Sequence, residues 1–226
     1  MSWTGVLWPT FALLPGLAAG AEPQPGMHRW ARRLLPALGV ELEVAGYPRK
    51  DIPLWVANHL SWVDAVALMS LRPMGTIAKG EVTGYPLIGR WARRSGLHFV
   101  DREDATSRAV ALASFAASLK EGRDMLLFPE GTTTRGDRLA PFYEGGLRTV
   151  YDLGLPTQPF RLSSPAPHYP WTGDETLLPH LRTLFTTRTP LTVVAEAPLH
   201  PAGFSNPDQW IAAFRAALEP RSSDVR

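Results

Sequence analysis

From about residue 40 to the carboxyl end, short apolar runs bounded by turn residues alternate with longer stretches of helical spacing. This is the pattern of strands and helices stacked in layers, an α/β fold. The apolar runs predict strands at 54–57, 76–78, 97–100, 125–128, 157–161 and 191–195. Helices are predicted near 62–71, 85–94, 105–121, 143–153, 174–186 and 207–218. The clearest is 105–121, where Leu112, Phe115 and Leu119 recur at helical spacing and Gly122 stands where a stop belongs. Residues 163–173 hold three prolines and read as a loop, and 222–226 as a frayed tail.

The amino-terminal pattern is different. The first 21 residues carry no charged side chain and are long enough to cross a bilayer. Pro9, Pro15 and three glycines disfavour a regular spanning helix there. A membrane-inserted or interfacial segment is the preferred reading. A signal peptide, with Ala19 and Ala21 framing a cleavage site, and an ordinary buried segment are its rivals. Next, Arg29, Arg32 and Arg33 accompany Trp30, Leu34 and Leu35. That mixture suits a helix on a membrane surface with arginines near the head groups, and equally a solvated helix face. The chain thus divides into a membrane-associating region, 1–39, and one domain, 40–220.

Composition narrows the function. Hydrophobic residues make up 45% and charged residues 19% of 226, which indicates a folded chain with a single core. Lys plus Arg number 23 against 21 Asp plus Glu, a basic excess too small to give a nucleic-acid partner much support. The absence of cysteine excludes disulfides, thiolate zinc sites and a Cys nucleophile. His28, His168, His180 and His200 have no ligand spacing, so no metal site is expected. His98, between Leu97 and Phe99, reads as a strand histidine.

Three constellations follow predicted strand ends, where α/β folds gather their sites. The first is Asn58-His59-Leu60-Ser61-Trp62-Val63-Asp64. On one continuous helix, His59 and Asp64 would lie roughly 140° apart and could not meet. Ser61-x-x-Asp64 ahead of an apolar run is, however, a capping-box pattern. It starts the helix at Ser61 and leaves His59 in the preceding turn, free to fold back toward Asp64. A His so placed has an orienting carboxylate, and the N–H groups of the helix start stand nearby for an oxyanion. Read alone, Asp64 could equally be a plain cap and His59 an incidental loop residue. The second is Phe128-Pro129-Glu130-Gly131-Thr132-Thr133-Thr134-Arg135-Gly136, an anion-holding turn or a simple polar one. The third is Gly96-Leu97-His98-Phe99-Val100-Asp101-Arg102, which alone would be a surface ion pair.

Together, in this order, the three blocks resemble the glycerolipid acyltransferase family, best known for its 1-acylglycerol-3-phosphate acyltransferases. A fourth block, the proline-containing Leu155-Pro156-Thr157-Gln158-Pro159, follows, and the likeness runs over roughly residues 28–200. The resemblance implies a single-domain layer fold with a central mixed sheet flanked by helices. It implies His59 as general base with Asp64 orienting it, and Arg102, Glu130, Gly131, Thr132 and Arg135 on the acceptor's polar head. It implies transfer of a fatty acyl group from acyl-CoA or acyl-carrier protein, without a cofactor, to the free hydroxyl of a lysophospholipid such as 1-acylglycerol-3-phosphate. Lyso-ornithine lipid is the alternative acceptor, thioester hydrolysis the rival reaction, and a silent membrane-binding relative the non-enzyme rival. The expected location is the cytoplasmic face of the inner membrane, monotopic or peripheral. This chain departs from the family pattern where it breaks into Ser163-Ser164-Pro165 soon after Arg161.

Overall fold

The computed structural model describes residues 23–79, 97–100, 104–173 and 175–221. The uncharged first 21 residues, the helix expected near 85–94, and Arg102 fall outside these. Helix α1 (Pro23–Ala37) leads into strands β1 (Val40–Gly46) and β2 (Leu54–Ala57), then α2 (Trp62–Leu71), β3 (Gly75–Lys79) and β4 (Leu97–Val100). Helix α3 (Ala105–Lys120), β5 (Met125–Leu127), α4 (Gly145–Asp152), β6 (Thr157–Ser163), α5 (Leu177–Thr186), β7 (Thr189–Ala195) and α6 (Pro207–Leu218) complete the order.

The strands form one seven-stranded sheet in the order β1-β7-β6-β2-β5-β3-β4. Neighbours run parallel except β6 and β7, so the sheet is mixed, as expected. Its central strands are covered on both faces, and the alternation of β2 shows how. Leu54 and Val56 enter one core with Phe115, Leu147, Trp210 and Phe214 of α3, α4 and α6. Trp55 and Ala57 enter the other with Leu34, Val63 and Leu184 of α1, α2 and α5. A strand buried on both sides has no polar face to show, which is why 54–57 reads as an unbroken apolar run.

Three features differ from the sequence expectations. The sheet begins earlier, with β1, an edge strand whose Val40 is buried while Glu41 and Glu43 are exposed. Strand β6 runs on to Ser163, where a break was expected after Arg161. Pro159 sits inside β6 without cost to the ladder: opposite it β7 has ended at Ala195, and Glu196 N–H donates to the Pro159 carbonyl at 3.0 Å. Finally, α1 is built into the domain. Met27, Ala31, Leu34 and Leu35 are buried in the same core as α2, and His28 Nδ1–H donates to Met69 O at 2.8 Å. Arg29, Arg32 and Arg33 remain exposed. None of the described helices is long and apolar enough to cross a membrane.

Candidate active site

Strands β6, β2, β5, β3 and β4 run parallel, so their carboxyl ends lie along one edge of the sheet. His59 leaves β2 at that edge, and Asn58 makes the exit possible. Main-chain pairing between β2 and β6 ends at Ala57 and Phe160. The Asn58 amide then takes over, accepting Leu162 N–H at 2.7 Å and donating to Leu162 O at 2.9 Å. With β6 satisfied by a side chain, the backbone is free to turn at His59.

The turn closes as the capping pattern requires. Ser61 is the N-cap of α2: its side chain accepts Val63 N–H, and Asp64 reaches back to Ser61 N–H at 2.8 Å. The same Asp64 oxygen, Oδ2, accepts Leu60 N–H at 2.6 Å and His59 Nδ1 at 2.9 Å. A carboxylate oxygen in that position can only accept, so the imidazole proton is on Nδ1 and Nε2 is left as the basic nitrogen. Asp64 has no solvent exposure and His59 keeps 15% of its side-chain surface open. The Phe128 ring stacks on the imidazole, centroids 4.0 Å apart at 18°. Of the N–H groups that open α2, those of Val63 and Asp64 are taken by Ser61.

Glu130 stands behind the histidine, not in front of it. Its side chain is buried, with Oε1 accepting His59 N–H at 2.8 Å and Oε2 accepting Ala140 N–H at 2.7 Å. The resemblance names Glu130 for the acceptor's head group; in the structure its two oxygens join the His59 turn to the loop that follows β5. Burial raises its carboxyl above the usual range, the Asp64 charge adds to the effect, and the two N–H groups work against it. Thr134 N–H donates to His59 O at 2.8 Å, which ties the 131–136 turn to the same backbone. Gly131 there has φ +63°, and a Cβ would lie 2.6 Å from the Tyr143 ring, so the position favours glycine. Thr132 and Arg135 are exposed on this turn.

One partner of the dyad gave no signal in the sequence. Tyr169, fully buried in the loop after β6, donates its hydroxyl to Asp64 Oδ1 at 2.6 Å. Burial and the adjacent carboxylate push its phenol well above the ordinary value. Phe128 opens the second block of the sequence, which gave it no role of its own. His98 has the structural role expected: it lies on β4 with Nε2 3.0 Å from Ser118 Oγ of α3, and burial lowers its basicity.

A histidine held by a buried carboxylate at the strand ends of a covered α/β sheet is an arrangement suited to general-base chemistry. The acyltransferase family model matches residues 43–163, and the chain belongs to that family. It is 37% identical over 72% of its length to a lyso-ornithine lipid O-acyltransferase of Pseudomonas aeruginosa, spanning 66% of that protein. A second enzyme of that name, from Rhodobacter capsulatus, is 30% identical over 87% of this chain and 79% of its own. A 1-acyl-sn-glycerol-3-phosphate acyltransferase of Neisseria meningitidis is 30% identical over 66% of this chain and 57% of its own. The fold matches the crystal structure of the acyltransferase PlsC from Thermotoga maritima with a TM-score of 0.66, over 95% of this chain and 87% of that one at 19% identity.

Proposed function

We propose that the protein transfers a fatty acyl group from acyl-CoA or acyl-carrier protein to the free hydroxyl of a lysolipid at a membrane surface. The observation that carries this is the His59–Asp64 pair, in which Nδ1 meets the carboxylate and Nε2 points away from it, on a side chain 15% open at the strand edge. The acceptor hydroxyl gives its proton to Nε2 as its oxygen attacks the thioester carbonyl. The tetrahedral intermediate expels the carrier thiolate, and the imidazolium returns the proton to that sulfur. Asp64 stabilises the imidazolium between the two transfers.

Two head groups are in play. The Pseudomonas and Rhodobacter relatives are named for lyso-ornithine lipid and match this chain over more of its length than the Neisseria relative, so lyso-ornithine lipid is the acceptor we put first. The second reading, 1-acylglycerol-3-phosphate, is favoured by the exposed guanidinium of Arg135 on the turn bonded to His59, with Arg102 as its proposed partner on the phosphate. Exposed Arg29, Arg32 and Arg33 on α1, next to an uncharged amino-terminal segment, support docking on the membrane face where the acyl carriers are found.

The test is acyl transfer by purified protein in detergent, with labelled acyl-CoA or acyl-carrier protein and both lysolipids in parallel. We expect an acylated lipid product, and a loss of about 10²-fold or more with His59→Ala. Free fatty acid as the only product, or undiminished transfer by folded His59→Ala, overturns the reading.

A further inference from the structure

Asp64 brings a carboxylate into a place with no solvent exposure. Its two oxygens are served unequally. Oδ2 meets three N–H donors, from His59, Leu60 and Ser61. Among the described residues, Oδ1 is met by one hydroxyl, that of Tyr169. The tyrosine comes from 105 positions along the chain and is held on every side. Its ring is fully buried, its N–H donates to Ala166 O at 3.0 Å, and its carbonyl faces His180 Nε2 at 3.3 Å. His180 in turn lies 3.1 Å from the indole N–H of Trp62, the first residue of α2, two before Asp64. Because Nε2 of His180 points at the carbonyls of His168 and Tyr169, it carries the proton, and Nδ1 accepts from Trp62. Asp64, Tyr169, His180, Trp62 and helix α2 therefore close a ring of contacts.

We propose that Tyr169 is a positioning residue for the transfer reaction, its hydroxyl fixing Asp64 Oδ1 so that Oδ2 stays aligned with His59 Nδ1 and the carboxylate charge is partly balanced before the imidazole takes a proton. This rests on the base role of His59 proposed above. Without the hydroxyl, Oδ1 stays buried and loses its donor. The less compensated charge then holds a proton on His59 more firmly, and the base is available only at higher pH. The titratable groups facing the pair, among the described residues, are Glu130 from the loop after β5 and Tyr169 from the loop after β6, with His180 of α5 behind Tyr169. Tyr169→Phe leaves Glu130 and His180 in place, so a change in pH dependence reports on the hydroxyl.

The experiment compares the pH profile of kcat/KM for wild type and Tyr169→Phe, beside NMR titration of the His59 imidazole in the unliganded protein. We expect the acid limb and the imidazole titration to move up together by about half a unit to one unit. At neutral pH kcat should fall about 3- to 30-fold while both Michaelis constants stay within about twofold. Tyr169→3,5-difluorotyrosine, which keeps the shape and strengthens the donor, should move the acid limb down and remains usable if the phenylalanine variant does not fold. Unmoved acid limbs in the variants that fold, whatever happens to stability, overturn the proposal. If instead folded His59→Ala turns over like wild type, the base reading itself has failed, and the titration still reports whether the hydroxyl bears on the imidazole.

Discussion

Asp64→Asn separates the charge of the dyad from its geometry. The amide has one oxygen, and two backbone N–H groups, Leu60 and Ser61, already point at the Oδ2 position. Setting the amide NH₂ there would leave both of these buried donors unpaired, at about 2–6 kcal/mol. The oxygen must therefore occupy the Oδ2 place. It keeps the capping box and still accepts from His59 Nδ1, so the reactive tautomer survives. The NH₂ faces Tyr169, whose hydroxyl can rotate to accept. What disappears is the attraction between a carboxylate and the imidazolium formed during transfer. An opposite charge at this range shifts a titrating group by about 1–3 units, or about 1.4–4 kcal/mol. The expected outcome is a drop in kcat of about 10- to 1000-fold, a melting temperature close to wild type, and an acid limb moved to lower pH. That shift is opposite in sign to the one expected for Tyr169→Phe. The assay is initial-rate transfer across pH with thermal unfolding alongside. An unchanged kcat, or an acid limb moved upward, would refute the assignment of Asp64 as the charge partner of His59.

Asn58→Ala should destabilise the fold by about 2–5 kcal/mol, since both Leu162 backbone groups lose their buried partner; urea unfolding measures it. Glu130 gives a pH signature. Its folded carboxyl is raised above 4.5, so as pH climbs through the range above that value the folded protein keeps a proton the unfolded chain has released, and stability falls. Glu130→Gln should flatten that fall in denaturation series run between about pH 4.5 and 7. Arg135→Ala should raise the Michaelis constant for 1-acylglycerol-3-phosphate about tenfold, the modest end for an exposed charged contact, and leave that for lyso-ornithine lipid nearly unchanged. Equal effects on both acceptors would remove the phosphate from the argument.

What could be read from the sequence is what local geometry controls. His59 and Asp64 sit in one short block, and the Ser61 capping pattern states where the helix starts, hence on which side of it His59 lies. Glu130 was found by its block, but its task depends on a partner 71 positions away, which only the pairing of β2 beside β5 supplies. Tyr169 is further removed still, in a proline-rich loop with no periodicity to mark it. Helix α1 shows a different limit. An apolar stripe beside three arginines describes a helix lying on a bilayer and one lying on a protein core equally well, because both present an apolar face to one side and charge to the other. In this chain Leu34 and Leu35 pack in the core with α2, and the arginines stay on the open face. β1 was missed for the opposite reason: Val40-Glu41-Leu42-Glu43-Val44 alternates plainly, but a sheet read from its apolar runs begins where burial is two-sided, and an edge strand is not.

The same contrast explains why a general-base reading could be made before an acceptor was chosen. General-base chemistry needs a nitrogen, a carboxylate and a turn, all within seven residues here, and the structure adds supports from behind: Phe128 on the ring, Glu130 on the backbone and Tyr169 on the carboxylate. A head group is recognised from in front, by exposed side chains such as Thr132 and Arg135 whose neighbours do not constrain them. Residues held from behind are set by packing and can be argued from the fold. Those in front are free to differ between a phosphate and an ornithine, and parallel kinetics on the two lysolipids is the measurement that reads them.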